Sequence, residues 1–286
     1  MSMDPIRFTK MHGISNDYIY INCMDGQPDC PQQLSVEMSD RHTGVGGDGI
    51  ILICPSDIAD FKMRIFNADG SEARMCGNGS RCVGKYVYDK GLTDKTTITL
   101  ETLSGIKVLD LHLRDGKVDT VTVDMGEPVM TPSAIPVDFD GECMINEPVS
   151  SGGRDYRVTA VSMGNPHGVI FGGDPDLLSL EEIGPGLECH GIWRDRANIE
   201  FATVLSPAEI KMRVWERGSG ETMACGTGAC ATAVAAALNG LTCRTVTVHL
   251  RGGDLFIDWR PDDNHVYMTG SATTVFEGTY ERQKLS

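Results

Sequence analysis

An internal repeat at a constant offset of 149 residues constrains the fold of this chain most strongly. Residues 62–66, "KMRIF", align at this offset with residues 211–215, "KMRVW", and Cys76-Gly77 aligns with Cys225-Gly226. Eleven positions are identical between residues 62–96 and 211–245. Asn16 falls on Asn165 at the same offset. One offset without net insertion indicates that a half-molecule was duplicated, and each half has the size of an ordinary domain.

The two halves predict the same secondary structure. Segments such as "FKMRIFN", "TTITLET", "GIKVLDLHL" and "VDTVTVDMG" are rich in β-branched residues and bounded by Gly, Asp and Asn, which indicates strands. One strong helix is predicted after each Cys-Gly-x-Gly. The second, from Gly226 to Leu238, is apolar or small on every side, which predicts burial, and Asn239-Gly240 ends it. We therefore expect an α+β fold with two pseudo-symmetric domains, each a curved sheet or barrel around a central buried helix.

The boundary between the halves is predicted in the Pro-rich segment at residues 124–142, which follows the last strand of the first half. We expect an N-terminal half at residues 1–126 and a C-terminal half at residues 127–272. The tail, residues 273–286, contains one strand-like piece, and we expect it to return to the N-terminal half.

Composition excludes several classes of protein. Among the 286 residues, 41% are hydrophobic and 23% are charged, as in soluble globular proteins. The net charge of −15 disfavours nucleic-acid binding, which needs clustered Lys and Arg. No apolar run is long enough for a membrane span, and the N-terminus does not resemble a secretory signal. The ten cysteines have no CxxC spacing, so we expect reduced thiols in a cytoplasmic protein.

Two thiols at the starts of two helices form the candidate reactive groups. The N-terminus of a helix stabilises an anion, so Cys76 and Cys225 are both placed where a thiolate and a substrate carboxylate are favoured. A single buried cysteine is usually an inert core residue, and we expect this of Cys82 and Cys230. The matched positions of Cys76 and Cys225 instead predict a two-base racemase or epimerase. One thiolate would remove the α-proton of an amino acid, and the other thiol would return a proton on the opposite face.

The segments that carry these cysteines resemble a known family. "FNADGSEARMCGNGSRC" and "ERGSGETMACGTGACA" are similar to the two signature segments of the cofactor-independent diaminopimelate epimerases. "KMHGISNDYI", "RHTGVGGDGIIL", "SMGNPHGVIF" and "RANIEF" resemble the remaining family blocks, so the resemblance covers nearly the whole chain.

The resemblance implies interconversion of LL- and meso-diaminopimelate in lysine and peptidoglycan-precursor biosynthesis. It implies a homodimer that needs neither pyridoxal phosphate nor a metal, with Cys76 and Cys225 as the acid–base pair. The substrate-binding residues that it implies are Asn16, Asn67, Gly77, Asn78, Asn165, Asn198, Glu216, Arg217, Gly226 and Thr227. It also implies that His167 and Glu216 help set the protonation states of the thiols.

The chain departs from many relatives at two positions. Ser15 stands where many have Gly, and if the position needs a positive φ, serine carries a cost. Gly49 stands where some relatives have a ligand-contacting Gln. Other functions also stay open: a proline or hydroxyproline racemase, a thiol redox or sensor protein, and a non-catalytic amino-acid-binding module. The pair Glu216-Arg217 favours a substrate with a second amino-acid end over a monocarboxylate.

Overall fold

The computed structural model describes residues 5–282, and the chain forms two compact units. One unit contains the residues up to Val123 together with those from Gly270 onward, and the other contains Asp124–Thr269. Residues 1–4 and 283–286, the ends of the predicted N-terminal half and of its returning tail, lie outside the described residues.

The first unit consists of strands with two helices. Its elements are β1 (Ile6–Gly13), β2 (Asn16–Asn22), α1 (Pro31–Ser39), β3 (Gly49–Cys54), β4 (Phe61–Asn67), β5 (Glu72–Ala73), α2 (Gly77–Asp89), β6 (Thr97–Thr102), β7 (Gly105–Arg114), β8 (Lys117–Asp124) and β18 (Thr273–Tyr280). Strand β18 pairs antiparallel with β1, and the sheet continues through β2, β3, β4, β6, β7 and β8. The β2–β3 and β4–β6 pairs are parallel, and the others are antiparallel.

The second unit repeats this order. Its elements are β9 (Glu147–Ser151), β10 (Arg154–Ser162), β11 (Pro166–Phe171), a 3₁₀ turn (Pro175–Leu177), α3 (Leu180–Glu188), β12 (Asn198–Ser206), β13 (Glu209–Glu216), β14 (Gly220–Thr222), α4 (Gly226–Leu238), β15 (Thr245–Leu250), β16 (Gly253–Trp259) and β17 (Val266–Ser271). Its sheet runs β9, β10, β11, β12, β13, β15 and β16, with parallel β11–β12 and β13–β15 pairs. Strand β18 therefore has the place in the first unit that β9 has in the second.

One helix lies at the centre of each unit. Helix α2 packs against β1, β2 and β7, and α4 packs against β10, β11, β12, β13, β15 and β16. The residues of α4 from Ala229 to Ala236 are all buried, because small side chains let strands approach a helix from several sides. The structure confirms the predicted α+β class and the predicted bounds of this helix, Gly226–Leu238.

The structure also contains two helices that the sequence analysis does not predict, α1 and α3, each nine residues long. Helix α1 begins at a proline and has a weakly segregated apolar face. Helix α3 contains Pro185, a residue that usually ends a helix. Within residues 5–282 no helix is long and apolar enough to cross a membrane.

Candidate active site

In the first unit, Cys76 is the N-cap residue of α2. Its backbone is extended, with φ −144° and ψ 110°, and its Sγ accepts a hydrogen bond from the backbone N–H of Gly79 over 3.2 Å. The side chain is partly exposed. The sequence therefore places this thiol where the prediction requires it, at the amide-rich end of the central helix.

Asn16 connects the Cys76 thiol to a charged cluster. It is the first residue of β2, and its Oδ1 accepts from the Cys76 thiol over 3.3 Å. Its Nδ2 donates to Oδ2 of Asp48 over 2.8 Å. Oδ1 of Asp48 in turn accepts from Arg41 over 3.0 Å. Sequence reasoning predicts Asn16 and misses Asp48, which lies in the Gly-rich segment before β3.

The turn that leads into Asn16 is strained. It is a two-residue hairpin loop between paired Gly13 and Asn16, and both loop residues, Ile14 and Ser15, have positive φ, at 49° and 70°. This conformation favours Gly, Asn or Asp. The position of Ser15 thus requires the backbone conformation in which serine carries a cost.

Asn67 lies at the same edge of the sheet as Asn16, because β2 and β3 begin there and β4 ends there. Its Oδ1 accepts from the Tyr18 hydroxyl over 3.4 Å, and its Nδ2 donates to Ser71 over 3.0 Å. Asn67 pairs with Gly49 across the β3–β4 ladder. A Cβ at Gly49 would lie 2.1 Å from the carbonyl oxygen of Phe66, so this backbone excludes any side chain there.

Gly77 and Asn78 are the first two residues of α2. The first four N–H groups of any helix have no acceptor within it, so these amides can bind an anionic group. The side chain of Asn78 is used otherwise, since its Oδ1 accepts from the buried Arg81 over 3.0 Å. Asn78 can therefore serve a carboxylate through its backbone.

In the second unit, Cys225 is the N-cap residue of α4 and is only 5% exposed. Its Sγ lies 3.5 Å from Oγ1 of Thr227. Burial, and next the carboxyls of Glu216 and Glu200, raise the pKa of this thiol well above its usual value. The sequence analysis expects a thiolate to be favoured at this helix end. For Cys225 that expectation is wrong, because burial and nearby carboxyls outweigh the helix end.

A cluster of ionisable groups lies beside Cys225. Nδ1 of His167 is 2.7 Å from Oε1 of Glu200, and both side chains are fully buried. Among residues 5–282, no group hydrogen-bonds to the other Glu200 oxygen, Oε2. Glu216 hydrogen-bonds to Thr222 and to the Cys225 thiol, and burial raises the pKa of the Glu216 carboxyl. The structure thus brings Glu216 to this thiol, with His167 and Glu200 close to Glu216. That His167 and Glu216 set the protonation states of the thiols stays a prediction.

Asn165 and Asn198 lie at the edges of this cluster. Oδ1 of Asn165 is 3.1 Å from Nε2 of His167. Asn198 donates to the Pro166 carbonyl over 3.3 Å and accepts from the backbone N–H of Arg217 over 2.8 Å. Asn198 therefore fixes the backbone where the loop of residues 217–219, between β13 and β14, begins.

The Arg217 guanidinium forms an ion pair with Asp195, whose side chain is 75% exposed, over 2.6 Å. The guanidinium also donates to the backbone carbonyl of Asp195 over 2.8 Å. Because the Asp195 carboxylate is exposed, the ion pair contributes little free energy, and another carboxylate can replace it at low cost. Gly226 and Thr227 begin α4, as Gly77 and Asn78 begin α2.

Cys82 and Cys230 are completely buried inside the helices, which confirms them as core residues.

The chain is similar to known proteins over nearly its whole length. The profile of the diaminopimelate epimerase family matches residues 8–131 and 159–275. A protein of Acetivibrio thermocellus named diaminopimelate epimerase is 55% identical over 280 residues, which cover 98% of this chain and all of the relative. Proteins of the same name from Agathobacter rectalis and Methanococcus maripaludis strain C5 are 56% and 53% identical, each over 96% of this chain and 98% and 99% of the relative.

Solved structures show the same fold at low identity. A Bacillus anthracis phenazine biosynthesis protein of the PhzF family is 16% identical, with a TM-score of 0.71 over 97% of this chain and 99% of that one. A hydroxyproline epimerase from Agrobacterium vitis is 14% identical, with a TM-score of 0.66 over 97% and 91%. These structures support the α+β fold. Full-length identity above one half and the family profile decide the membership: the chain belongs to the diaminopimelate epimerase family of isomerases.

Proposed function

We propose that this chain interconverts LL- and meso-diaminopimelate by two-base proton transfer, with Cys76 and Cys225 as the acid–base pair. One observation carries the proposal. Each unit places a thiol at the N-cap of its central helix, at positions 149 residues apart in a duplicated sequence. An inversion at carbon needs a base on one face and an acid on the other, and a duplicated thiol supplies both.

The first step breaks the α-carbon–hydrogen bond and transfers its proton to a thiolate. The electron pair stays on the carbon and is delocalised into the α-carboxylate, whose negative charge rises. The amides of Gly77, Asn78, Gly226 and Thr227 are the donors that we assign to this carboxylate, because helix N-termini stabilise developing negative charge. The second thiol then gives its proton to the carbon on the opposite face. The chemistry requires no other group to accept electrons.

The cluster around Cys225 supports a role in proton exchange. A buried thiol with a raised pKa is a poor base unless a neighbour accepts its proton. Glu216 hydrogen-bonds to this thiol, and His167 lies in the same buried cluster. We assign to these two side chains the role of setting the charge of the Cys225 sulfur.

The assignments at the distal end of the substrate rest on side-chain chemistry. Arg217 has a guanidinium that suits a carboxylate, and its exposed partner Asp195 is easily displaced. Asn16, Asn67, Asn165 and Asn198 contribute amides that can donate and accept without adding charge. The family further implies a homodimer that acts in lysine biosynthesis in the cytoplasm. Within residues 5–282 none of the ten cysteines forms a disulfide, which fits a reducing compartment. We also assign the two predicted halves to the two compact units.

Isotope incorporation tests the two-base mechanism. The reaction is started from LL-diaminopimelate in deuterated water and stopped after brief conversion. We expect deuterium in newly formed meso epimer well before it appears in recovered substrate. Equal early labelling of both would contradict two distinct bases. A parallel assay with proline and hydroxyproline tests the racemase alternative, which predicts turnover of those substrates instead.

Substitution of each thiol tests the residues. Cys76→Ala and Cys225→Ala are each expected to lower kcat by about a thousandfold or more, in line with loss of an acid–base group. Cys143→Ala is the matched control, because Cys143 is exposed and lies outside both helix ends. Full activity in either of the first two variants would remove the assignment. Reversible oxidation of Cys76 and Cys225 in a protein without epimerase activity would favour the redox alternative.

A further inference from the structure

Asp48 is held by three hydrogen-bond donors, and none of the predicted roles involves it. Its Oδ2 accepts from Nδ2 of Asn16 over 2.8 Å and from the backbone N–H of Asp17 over 3.1 Å. Its Oδ1 accepts from Arg41 over 3.0 Å. Its own backbone N–H donates to the Asp17 carbonyl over 2.7 Å. The carboxylate is therefore fixed in position relative to the start of β2.

This carboxylate determines which way the Asn16 amide faces. An ionised carboxylate only accepts hydrogen bonds, so the NH₂ end of Asn16 must point toward Asp48. The carbonyl end then points toward Cys76, 3.3 Å from Sγ. A carbonyl oxygen also only accepts, so this contact is favourable when the sulfur carries its proton and unfavourable when the sulfur is a thiolate.

We propose that Asp48 is a positioning residue that fixes the Asn16 amide so that the Cys76 sulfur is held as a proton donor. The proposal deepens the acid–base role assigned to Cys76 and rests on it for its functional meaning. Asp48 acts through Asn16 and does not touch the thiol. Without an acceptor at position 48, the amide can turn, and its NH₂ group then stabilises the Cys76 thiolate.

The opposing contact at the sulfur sharpens this argument. The Gly79 N–H donates to Sγ over 3.2 Å and favours the thiolate, as does the helix end. The Asn16 carbonyl works against both. The orientation of the Asn16 amide therefore shifts the balance between loss and retention of the Cys76 proton.

Other charged and titratable groups lie around Asn16, Asp48 and this end of α2. They are Tyr20 on β2, Arg81 on α2, Lys10 on β1, and Asp17 and Arg41 beside Asp48. All of them stay in place in the variants below. The difference in alkylation between wild type and each variant therefore reports the change at position 48 or 16 and not these other groups.

The test measures alkylation of Cys76 by iodoacetamide as a function of pH, with peptide mass spectrometry to resolve each cysteine. Asp48→Ala removes the acceptor, and we expect the pH midpoint of Cys76 alkylation to move to lower pH. The rate at pH 7 should rise on the order of tenfold, as for a hydrogen bond gained by a charged group. Exposed Cys143 in the same sample is the internal reference and should not change.

Two further variants separate the amide from the charge. Asp48→Asn removes the charge and keeps one acceptor oxygen beside the two N–H donors, so most of the shift should be absent. In an Asn16→Ala background, Asp48→Ala should leave the midpoint where Asn16→Ala alone puts it. Circular dichroism checks folding, and Asp48→Leu, which also has no acceptor, replaces Asp48→Ala if that variant does not fold.

The outcomes decide between clear alternatives. An unchanged or higher midpoint in Asp48→Ala, an equal shift in Asp48→Asn, or a shift that persists without Asn16 would each overturn the proposal. Because the readout is alkylation, it does not depend on turnover. If Asp48→Ala shows the predicted shift and the wild-type protein has no epimerase activity, the proposed function is refuted and the positioning role of Asp48 is kept.

Discussion

Replacement of Gly49 by alanine is expected to lower the stability of the first unit and to displace Asn67, a predicted substrate-binding residue in it. Gly49 begins β3 and pairs with Asn67 at the end of β4. A Cβ at this position would lie 2.1 Å from the Phe66 carbonyl oxygen, 2.8 Å from the Tyr18 ring and 3.0 Å from Cα of Asn67. Two of these three contacts are with backbone atoms, so a change of rotamer cannot relieve them.

The size of the effect follows from these distances. Ordinary contact begins at 3.4 Å, so the strands must part by about 1.3 Å at the Phe66 carbonyl. Overpacking of this kind costs about 3 kcal/mol or more when the backbone must move. At about 2–4 °C per kcal/mol for domains of this size, Tm should fall by roughly 6–12 °C. Because Asn67 and Tyr18 move with the strand, KM for diaminopimelate should rise as well.

Thermal unfolding followed by intrinsic fluorescence, together with steady-state kinetics, measures both effects. Gly191→Ala is the matched control, because among residues 5–282 no atom beyond its chain neighbours lies within 4 Å of the place that a Cβ would take there. It should leave Tm within about 1 °C of wild type. A Gly49→Ala protein with wild-type Tm and KM would show that the strand pair is free to open, and the steric argument would be refuted. Gly49→Gln, which carries the same Cβ, should lower Tm at least as much as Gly49→Ala.

The remaining predictions concern the two helix ends and their neighbours. Gly228→Ala should lower kcat at least tenfold more than Gly79→Ala. The new methyl at position 228 would lie 2.7 Å from the buried Glu200 carboxylate, whereas the one at position 79 would meet the terminal methyl of Ile51. Equal kcat values in the two variants would contradict this. Burial raises the pKa of Glu216 above 4.5, so this carboxyl contributes stability at low pH that is lost as pH rises through the raised pKa. Glu216→Gln should therefore flatten the fall of Tm with pH above about 4.5, and an unchanged Tm profile would exclude that contribution. Arg217→Lys should raise KM about tenfold with little change in kcat, since lysine cannot bind a carboxylate in bidentate fashion; an unchanged KM would remove the carboxylate role.

Much of the fold follows from the sequence for two reasons. The strands are rich in β-branched residues, and the central helix of the second unit is a long run of small and apolar residues after Cys-Gly-x-Gly. The segment "FKMRIFN" is β4, Phe61–Asn67, and the alanine-rich run is α4 within the predicted bounds. Helices α1 and α3 are not predicted, since each is only nine residues long and contains a proline, which usually marks the end of a helix or a turn. Strand order depends on contacts that are distant in the sequence, and no local pattern encodes them.

The candidate site was predicted in part. Sequence reasoning finds the helix-end thiols and the asparagines around them, and their catalytic and binding roles stay predictions. It misses Asp48, since an acidic residue among glycines is typical of a turn. It also misses Glu200, although a signal exists. Two-residue alternation places Glu200 on the same face of β12 as Asn198, between the apolar residues Ile199 and Phe201.

The duplication predicts two equal helix ends, and the structure shows where they differ. Ile51 and Glu200 are equivalent at the offset of 149 residues. Each contacts the third residue of its central helix: a Cβ at Gly79 would lie 2.7 Å from Ile51, and a Cβ at Gly228 would lie 2.7 Å from Glu200. The backbone positions have thus been kept, while an apolar neighbour in one unit is a carboxylate in the other.

Two further equivalent pairs extend this difference to proton transfer. Tyr18 corresponds to His167, and Asn67 corresponds to Glu216. The first member of each pair stays neutral near pH 7, whereas the second can gain or lose a proton. At these equivalent positions the second unit therefore carries titratable side chains where the first unit carries neutral ones. A proline racemase works between mirror images and favours equal bases. LL- and meso-diaminopimelate are not mirror images, because their distal centre is the same, so an epimerase that acts on them is free to use two unequal thiols.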